Sequence, residues 1–484
     1  MLKRVEKIKY NYITVTAIGI SLLLFVIYKA ATTSFTHDES YSFLKYVHQP
    51  FMDIISYKTA YTNNHILNSV LMKYCEVFFG NSEFALRLPN ILAFVLYLFY
   101  VFSFLNKNAK ALLIPGFVLF TVHPYLLDFF SLARGYGLSI AFMTMSMFYL
   151  VESIKTTSLR NMGLFNMSAF FAVFSNFSML NFYVAALITF ITLRYLSSRQ
   201  KYNSSFFFAD NKVNGISLLI FIAFLFEPIR RISKMKLLDF GGKQGFMFDT
   251  VGSSLDDLVY EMHITNGWVL TFKTTICIIV FGALFLVLIK LIKKDSAWVN
   301  SHISLIAVTA VLFAVVSISL MQHWLLGNDF YIHRFALFFY VLFVFVFVSV
   351  LNYVYHIMNS LIKALSYLIA SLWILNFTVN HNFAYYKDWK FDQNTKHVMS
   401  YLEKNHQTDK NIRLGVTWLL EPSTNYYRYT HNLNSILPTH RRGLQSLDDY
   451  WYILKEDENY PNINGKPILF EDVKIGSFLV KNRD

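Results

Sequence analysis

The sequence predicts a polytopic α-helical membrane protein with a small C-terminal α/β domain, and three observations carry that prediction. Of its 484 residues, 55% are hydrophobic, 18% aromatic and only 15% charged, with a mean hydropathy of +0.40; a soluble domain carries about a quarter charged residues. Apolar runs that approach the roughly 17–25 residues needed to cross the hydrocarbon recur along the chain as far as Phe377. After Asn376 the character changes to a mixed polar segment that continues to residue 484.

The runs fall near 12–31, 84–104, 111–129, 135–152, 162–178, 180–196, 214–228, 268–292, 302–322, 334–356 and 361–379, about eleven spans. The pairs 111–129 with 135–152 and 162–178 with 180–196 are parted by a few polar residues and read as tight hairpins or as single long helices. Lys3 to Lys9 resemble the n-region of a signal peptide and Ala30-Ala31 a small-residue site, but the apolar core is too long and many spans follow, so an uncleaved first helix is preferred.

Orientation follows from the basic residues. Lys3, Arg4, Lys7 and Lys9, then Lys107 and Lys110, Lys155 and Arg160, Arg194, Arg199 and Lys201, and Lys290, Lys293 and Lys294 fall at alternate links, which the positive-inside rule places in the cytoplasm. The links holding Asp38, Arg134, 229–266 and His333, and everything after 380, then face outward from the cell (inner) membrane. The outward link 229–266 breaks the rule with Arg230, Arg231, Lys234, Lys236 and Lys243; long loops translocate whatever their charge, and a basic rim would also attract an anionic headgroup or pyrophosphate. The formal charge of +13 is spread over short links rather than gathered on one face, which argues against nucleic acid. Cys75 and Cys277 lie far apart in apolar surroundings and form no disulfide framework.

These limits divide the chain into a membrane region, 1–380, whose first outer loop is 32–83, and an extracytoplasmic domain, 381–484. In the latter, Gln393 to Lys404 has helical spacing, whereas 412–418, 450–454 and 477–481 alternate like strands.

The residues suited to chemistry sit on the outward links. Asp38 and Glu39 follow the first span, and a carboxylate pair beside a bilayer is costly unless solvated or used. Asp38 is the candidate general base, with Glu39 beside it as support or as a metal ligand. Asn63-Asn64-His65 opens an amphipathic stretch, Ile66 to Phe79, that reads as a helix lying along the interface; its amides and imidazole can hold phosphate oxygens or sugar hydroxyls, or Asn can simply cap the helix. Lys73 lies two turns further on, where it can reach a phosphate or snorkel. Arg87, Arg134 and the pair His333-Arg334 each open or join spans on the same side, where arginine offers a planar fork to phosphate or anchors its helix at the headgroups. His37, Glu39 and His48 are weak candidates for a divalent cation, because their spacing matches no compact metal motif. No P-loop, GxGxxG, Gly-x-Ser-x-Gly or HExxH occurs.

Four landmarks in order, Asp38-Glu39, Asn64-His65-Ile66-Leu67, Phe84-Ala85-Leu86-Arg87-Leu88-Pro89 and Ala133-Arg134-Gly135-Tyr136, resemble the GT-C glycosyltransferases, specifically the protein-O-mannosyltransferase and lipid A aminoarabinose transferase superfamily. The resemblance covers roughly residues 1–380, most clearly the first 150. It implies a polyprenyl-phosphate sugar donor, an extracytoplasmic acceptor, an inverting displacement with Asp38 as catalytic carboxylate, and Arg87, Arg134 and Arg334 near the phosphate. Ile66 stands where relatives often carry proline. Two rival readings, a lipid-linked-sugar flippase or other transporter and an O-antigen ligase or polymerase, call respectively for intramembrane charges along inverted repeats and for large late outer loops.

Overall fold

The structure, a computed structural model, describes all of the chain except residues 1, 60–62, 157, 202–203, 235–240, 263–264, 406–410, 458–459 and 484. Among the described residues, nine helices are long and apolar enough to cross a membrane. A bent pair, Lys110–Thr121 with Pro124–Ser131, makes ten if it counts as one span. The expected count of about eleven is reached when one further helix, a single residue short of that length, is counted with them. The run at 162–178 forms the 17-residue helix Leu159–Ser175, shorter than the others.

The run at 111–129 is broken, with a bend of 67°. Its cause is local: Pro124 has no N–H to continue the ladder and occupies the first helical position, while the His123 side chain accepts the Leu126 N–H at 3.3 Å. The bend carries Asp128, Ser131 and the link Leu132-Ala133-Arg134 beneath the first outer loop.

Contacts between links form two separate groups. At one end Asp38 lies within 4 Å of Arg134 and Arg334, and His37 contacts the C-terminal module. At the other, Lys107 pairs with Glu152 at 2.7 Å, and Asn108 accepts from Lys155 and, through its carbonyl, from Asn352. The helix Ser204–Lys234 continues past the expected exit at 228, and its Arg230 and Arg231 are both bound to Glu227; Lys236, part of the expected basic rim, lies outside the described residues.

The stretch after Asn380 contains the helices Thr395–Asn405 and Glu421–Thr430 and strands β1 (Leu414–Val416), β2 (Tyr450–Leu454), β3 (Ile468–Asp472) and β4 (Ser477–Lys481), in the order β1-β2-β4-β3. β1 runs parallel to β2, joined through Glu421–Thr430, and the other two pairings are antiparallel. The larger apolar cluster of this module is shared with the membrane region. Phe35, Phe43, Met72 and Leu86 pack in it with Leu402, Val416, Tyr426 and Tyr452, and Phe35 stacks on Tyr426 at 4.2 Å. Polar bonds run alongside: the Phe35 N–H donates to the Tyr427 hydroxyl, and Lys396 pairs with Glu83 at 2.8 Å.

Candidate active site

The acidic pair opens a short helix, His37–Ser42. Thr36 caps it: its hydroxyl accepts the Glu39 N–H at 3.4 Å, and the Glu39 carboxylate accepts the Thr36 N–H at 2.9 Å, a reciprocal capping box. The Glu39 side chain is fully buried and also receives the Ala133 N–H at 2.6 Å and both arms of Arg87 at 2.8 Å. The remaining Arg87 donors reach the carbonyls of Ala30, Thr33 and Ser34. Arg87, expected near a phosphate, is thus fully buried with every nitrogen engaged, and Glu39 has no free lone pair to offer a metal.

Asp38 points the other way, into a cavity of about 420 Å³ between the first outer loop, Arg134 and Tyr136, the turn at 174–181 and the link 328–335 that precedes the late span. Its side chain is 17% exposed, and its Oδ2 stands 3.6 Å from Arg134 and 3.9 Å from Arg334. Burial pushes the Asp38 carboxyl up, but Arg134, Arg334, His37 and Arg441 outweigh it, so it sits below the ordinary carboxylate range. Asp38 is therefore ionised at neutral pH.

Arg134 braces the loop: its Nη1 donates to the Asp38 carbonyl, to Ser42 Oγ at 2.9 Å and to the Asn63 carbonyl at 3.0 Å, while its Nε is buried without a partner. Arg334 gives one arm to Asp388 at 3.0 Å, lies over Trp389 and has a buried Nε without a partner. Neighbouring carboxylates and Tyr136 hold it charged against the cost of burial. Each guanidinium also brings an Nη2 toward Asp38 without a hydrogen bond, whereas the two Nε atoms are buried away from the cavity.

His65 meets the same cavity in a different state. Its Nδ1 lies 2.9 Å from the Ser175 carbonyl, which can only accept, so Nδ1 carries the proton and Nε2, buried without a partner, presents a lone pair. Burial and the nearby Arg134 push its pKa well down, which keeps the ring neutral. This approach depends on glycine: a Cβ at Gly135 would stand 2.0 Å from the Ser175 oxygen and 2.7 Å from His65 Nδ1. Ile66, at the place where the resemblance implies a proline, is the first residue of the helix Ile66–Phe79. Asn64 caps nothing; its Oδ1 accepts from Ser69.

Other expected residues fall elsewhere. Lys73 donates to the carbonyls of Val47 and Gln49, His333 pairs with Asp257 at 3.1 Å, and His48 pairs with Glu76 at 3.0 Å; none of the three lines the cavity. His37 does line it, but its Nδ1 faces the Leu419 carbonyl and its Nε2 meets Arg441 at 3.3 Å, which occupies both nitrogens. No group of three or more His, Cys, Asp or Glu among the described residues suits a metal ion. The donor set thus does not fit the divalent cation that His37, Glu39 and His48 suggested.

Sequence reading missed several cavity residues. Arg441 comes from the C-terminal module, and Asn181, Gln322 and Asp329 come from distant helix ends. Asn181 and Gln322 exchange two amide bonds, at 2.7 and 3.0 Å, and Asp329 keeps one buried oxygen without a partner. The basic triplet His440-Arg441-Arg442 was the only local signal among them.

Compared with solved structures, the chain matches ArnT from Cupriavidus metallidurans bound to undecaprenyl phosphate (TM-score 0.52, 8% identity) and the same protein in the apo state (TM-score 0.53, 7% identity), in each case over 97% of this chain and 98% of that one. The fold is the GT-C fold of ArnT. Arabinosyltransferase EmbB from Mycobacterium smegmatis matches 86% of this chain and 42% of its own at a TM-score of 0.38 and 11% identity. No family model and no curated protein matches the sequence. In a GT-C fold of this kind, the likeness spans both the membrane helices and the C-terminal module, so the module that supplies Arg441 belongs to the shared architecture.

Proposed function

We propose that the chain is a membrane glycosyltransferase that moves a sugar from a polyprenyl-phosphate donor to an acceptor outside the cytoplasm. The observation that carries this reading is one cavity in which an ionised carboxylate, Asp38, faces two arginines with spare donors. Polyprenyl phosphate comes into the reading from the ArnT structure that holds undecaprenyl phosphate.

Asp38 accepts the proton of the acceptor hydroxyl as that oxygen attacks the anomeric carbon. The bond from that carbon to the phosphate oxygen breaks on the opposite face, inverting the centre, and the electron pair leaves with polyprenyl phosphate. Arg334 and Arg134, through the Nη2 atoms that approach Asp38 without a hydrogen bond, stabilise the charge that collects on the departing phosphate. His65 Nε2, as an acceptor only, takes a hydrogen bond from a sugar hydroxyl rather than holding a phosphate oxygen. Asn181, Gln322 and Asp329 bind the rest of the sugar. Glu39 and Arg87 hold the loop in shape, and the N-terminus lies in the cytoplasm with the C-terminal module outside.

The test is Asp38→Asn in the purified protein, assayed for release of polyprenyl phosphate from a polyprenyl-phosphate sugar. Turnover should fall by about 10²–10⁴, the usual contribution of a positioned general base. Near wild-type turnover would remove Asp38 from the chemistry.

A further inference from the structure

The C-terminal module contains a second cavity, about 320 Å³, between the start of β1 and the segment 437–443. Arg413, His440 and Arg442 line it. Among the described residues the side chains of Arg413 and His440 make no hydrogen bond or ion pair, and that of Arg442 has only a 3.8 Å approach to Asp448. Asp448 is buried, and its other oxygen takes the Gln445 N–H at 2.7 Å. The wall therefore carries two full positive charges and an imidazole against one carboxylate that is already occupied.

The backbone fixes these groups. Arg413 donates its N–H to Asp449 Oδ2 and accepts the Asp449 N–H through its carbonyl, both at 2.8 Å. The facing wall is tied on by the Leu437 N–H, which donates to the Ile412 carbonyl at 2.9 Å. Gly443, at φ +76, makes the turn that follows Arg442, a conformation that suits glycine. Between His440 and Arg442, Arg441 reaches the other way, to His37 in the first cavity. One residue of chain separates the two cavities.

These three side chains are exposed at the mouth of the cavity and so open to a ligand; like charges held on one wall favour an anion between them, and arginine forks match the oxygens of phosphate and carboxylate. We propose that this cavity is an anion subsite that holds a phosphate or carboxylate group of the acceptor while the acceptor's hydroxyl lies at Asp38. The acceptor is then an acidic glycan or lipid headgroup, and its role rests on the glycosyl-transfer reading, whereas anion binding does not.

The experiment titrates inorganic phosphate into the full chain in neutral-lipid nanodiscs by calorimetry. The double variant Arg413→Gln/Arg442→Gln should lose roughly tenfold or more in one class of phosphate binding that Arg334→Gln leaves intact. Should the double variant melt early, Arg413→Gln alone is read instead, since that side chain has no partner to lose. Isotherms that superpose on the wild type overturn the subsite. Methyl phosphate and glucuronate as competitors distinguish a phosphorylated from a uronic-acid acceptor, and displacement by neither also overturns it. Lost phosphate binding in the Arg413 variant alongside a wild-type protein that releases no polyprenyl phosphate from a polyprenyl-phosphate sugar would remove the transfer reading and leave the subsite standing.

Discussion

Asp38 and Glu39 are adjacent, carry the same functional group and both meet arginine, yet one pair is closed and the other open. Glu39 and Arg87 form a fully buried two-point fork at 2.8 Å. Asp38 stands 3.6 and 3.9 Å from two arginines at the wall of a cavity, beyond direct hydrogen-bond length. Neighbouring residues on a helix point about 100° apart, so the turn that sends Glu39 inward sends Asp38 outward. In the closed fork the interaction energy is already committed to the fold. In the open one it is available to a ligand, and the arginines that depress the Asp38 pKa can turn to a phosphate.

The comparison breaks first at Asp38. Its conversion to Asn should cost about 3–5 kcal/mol of transition-state stabilisation, read as turnover, and lower the melting temperature far less than Arg87→Ala does, since only the stability carried by its depressed pKa is lost. Arg87→Ala should do the reverse: it strands a buried carboxylate, which costs about 3–5 kcal/mol of stability, visible as early melting in detergent. A variant that melted like the wild type but bound donor weakly would return Arg87 to the ligand. Arg334→Ala should lie between them, weakening binding of polyprenyl phosphate by about 1.5–3 kcal/mol, the worth of a hydrogen bond to a charged group, with a smaller change in melting. Unchanged lipid affinity would mean that Arg334 serves only Asp388 and Trp389.

Much of this was legible in the sequence. The apolar runs marked the helices, and Asp38, Asn64, His65, Arg134 and Arg334, all legible as candidates on the outward links, share one cavity. The capping-box spacing Thr36-x-x-Glu39 was also there to read, and it marks Glu39 as a helix-start residue rather than a metal ligand. Arg87 could not be assigned from sequence, because whether an arginine at a span's start faces a lipid or a buried acid depends on which link folds beneath it. Asn181, Gln322 and Asp329 were illegible for the same reason: nothing local distinguishes polar residues at helix ends until the helices pack. The break at Pro124 was readable as a proline but not as a 67° turn that brings Ala133 onto Glu39.

A third carboxylate extends the comparison to the module. Asp392 is fully buried, accepts the His37 N–H at 2.6 Å and the Ser423 hydroxyl at 2.7 Å, and makes no ion pair among the described residues. Burial, reinforced by Asp38 and Glu39, pushes its pKa to about 8, the opposite direction to Asp38. The folded state therefore holds a proton that the unfolded chain, with an ordinary value near 4, releases. The stability this proton supplies is fully present below about pH 4 and is lost as the pH rises through about 8. Asp392→Asn, neutral at every pH and able to keep the His37 bond, should melt later than the wild type at pH 8–9, with the difference closing as the pH falls. Parallel melting profiles across that range would mean that Asp392 is ionised in place, and that the contact between module and catalytic loop tolerates a third negative charge beside Asp38 and Glu39.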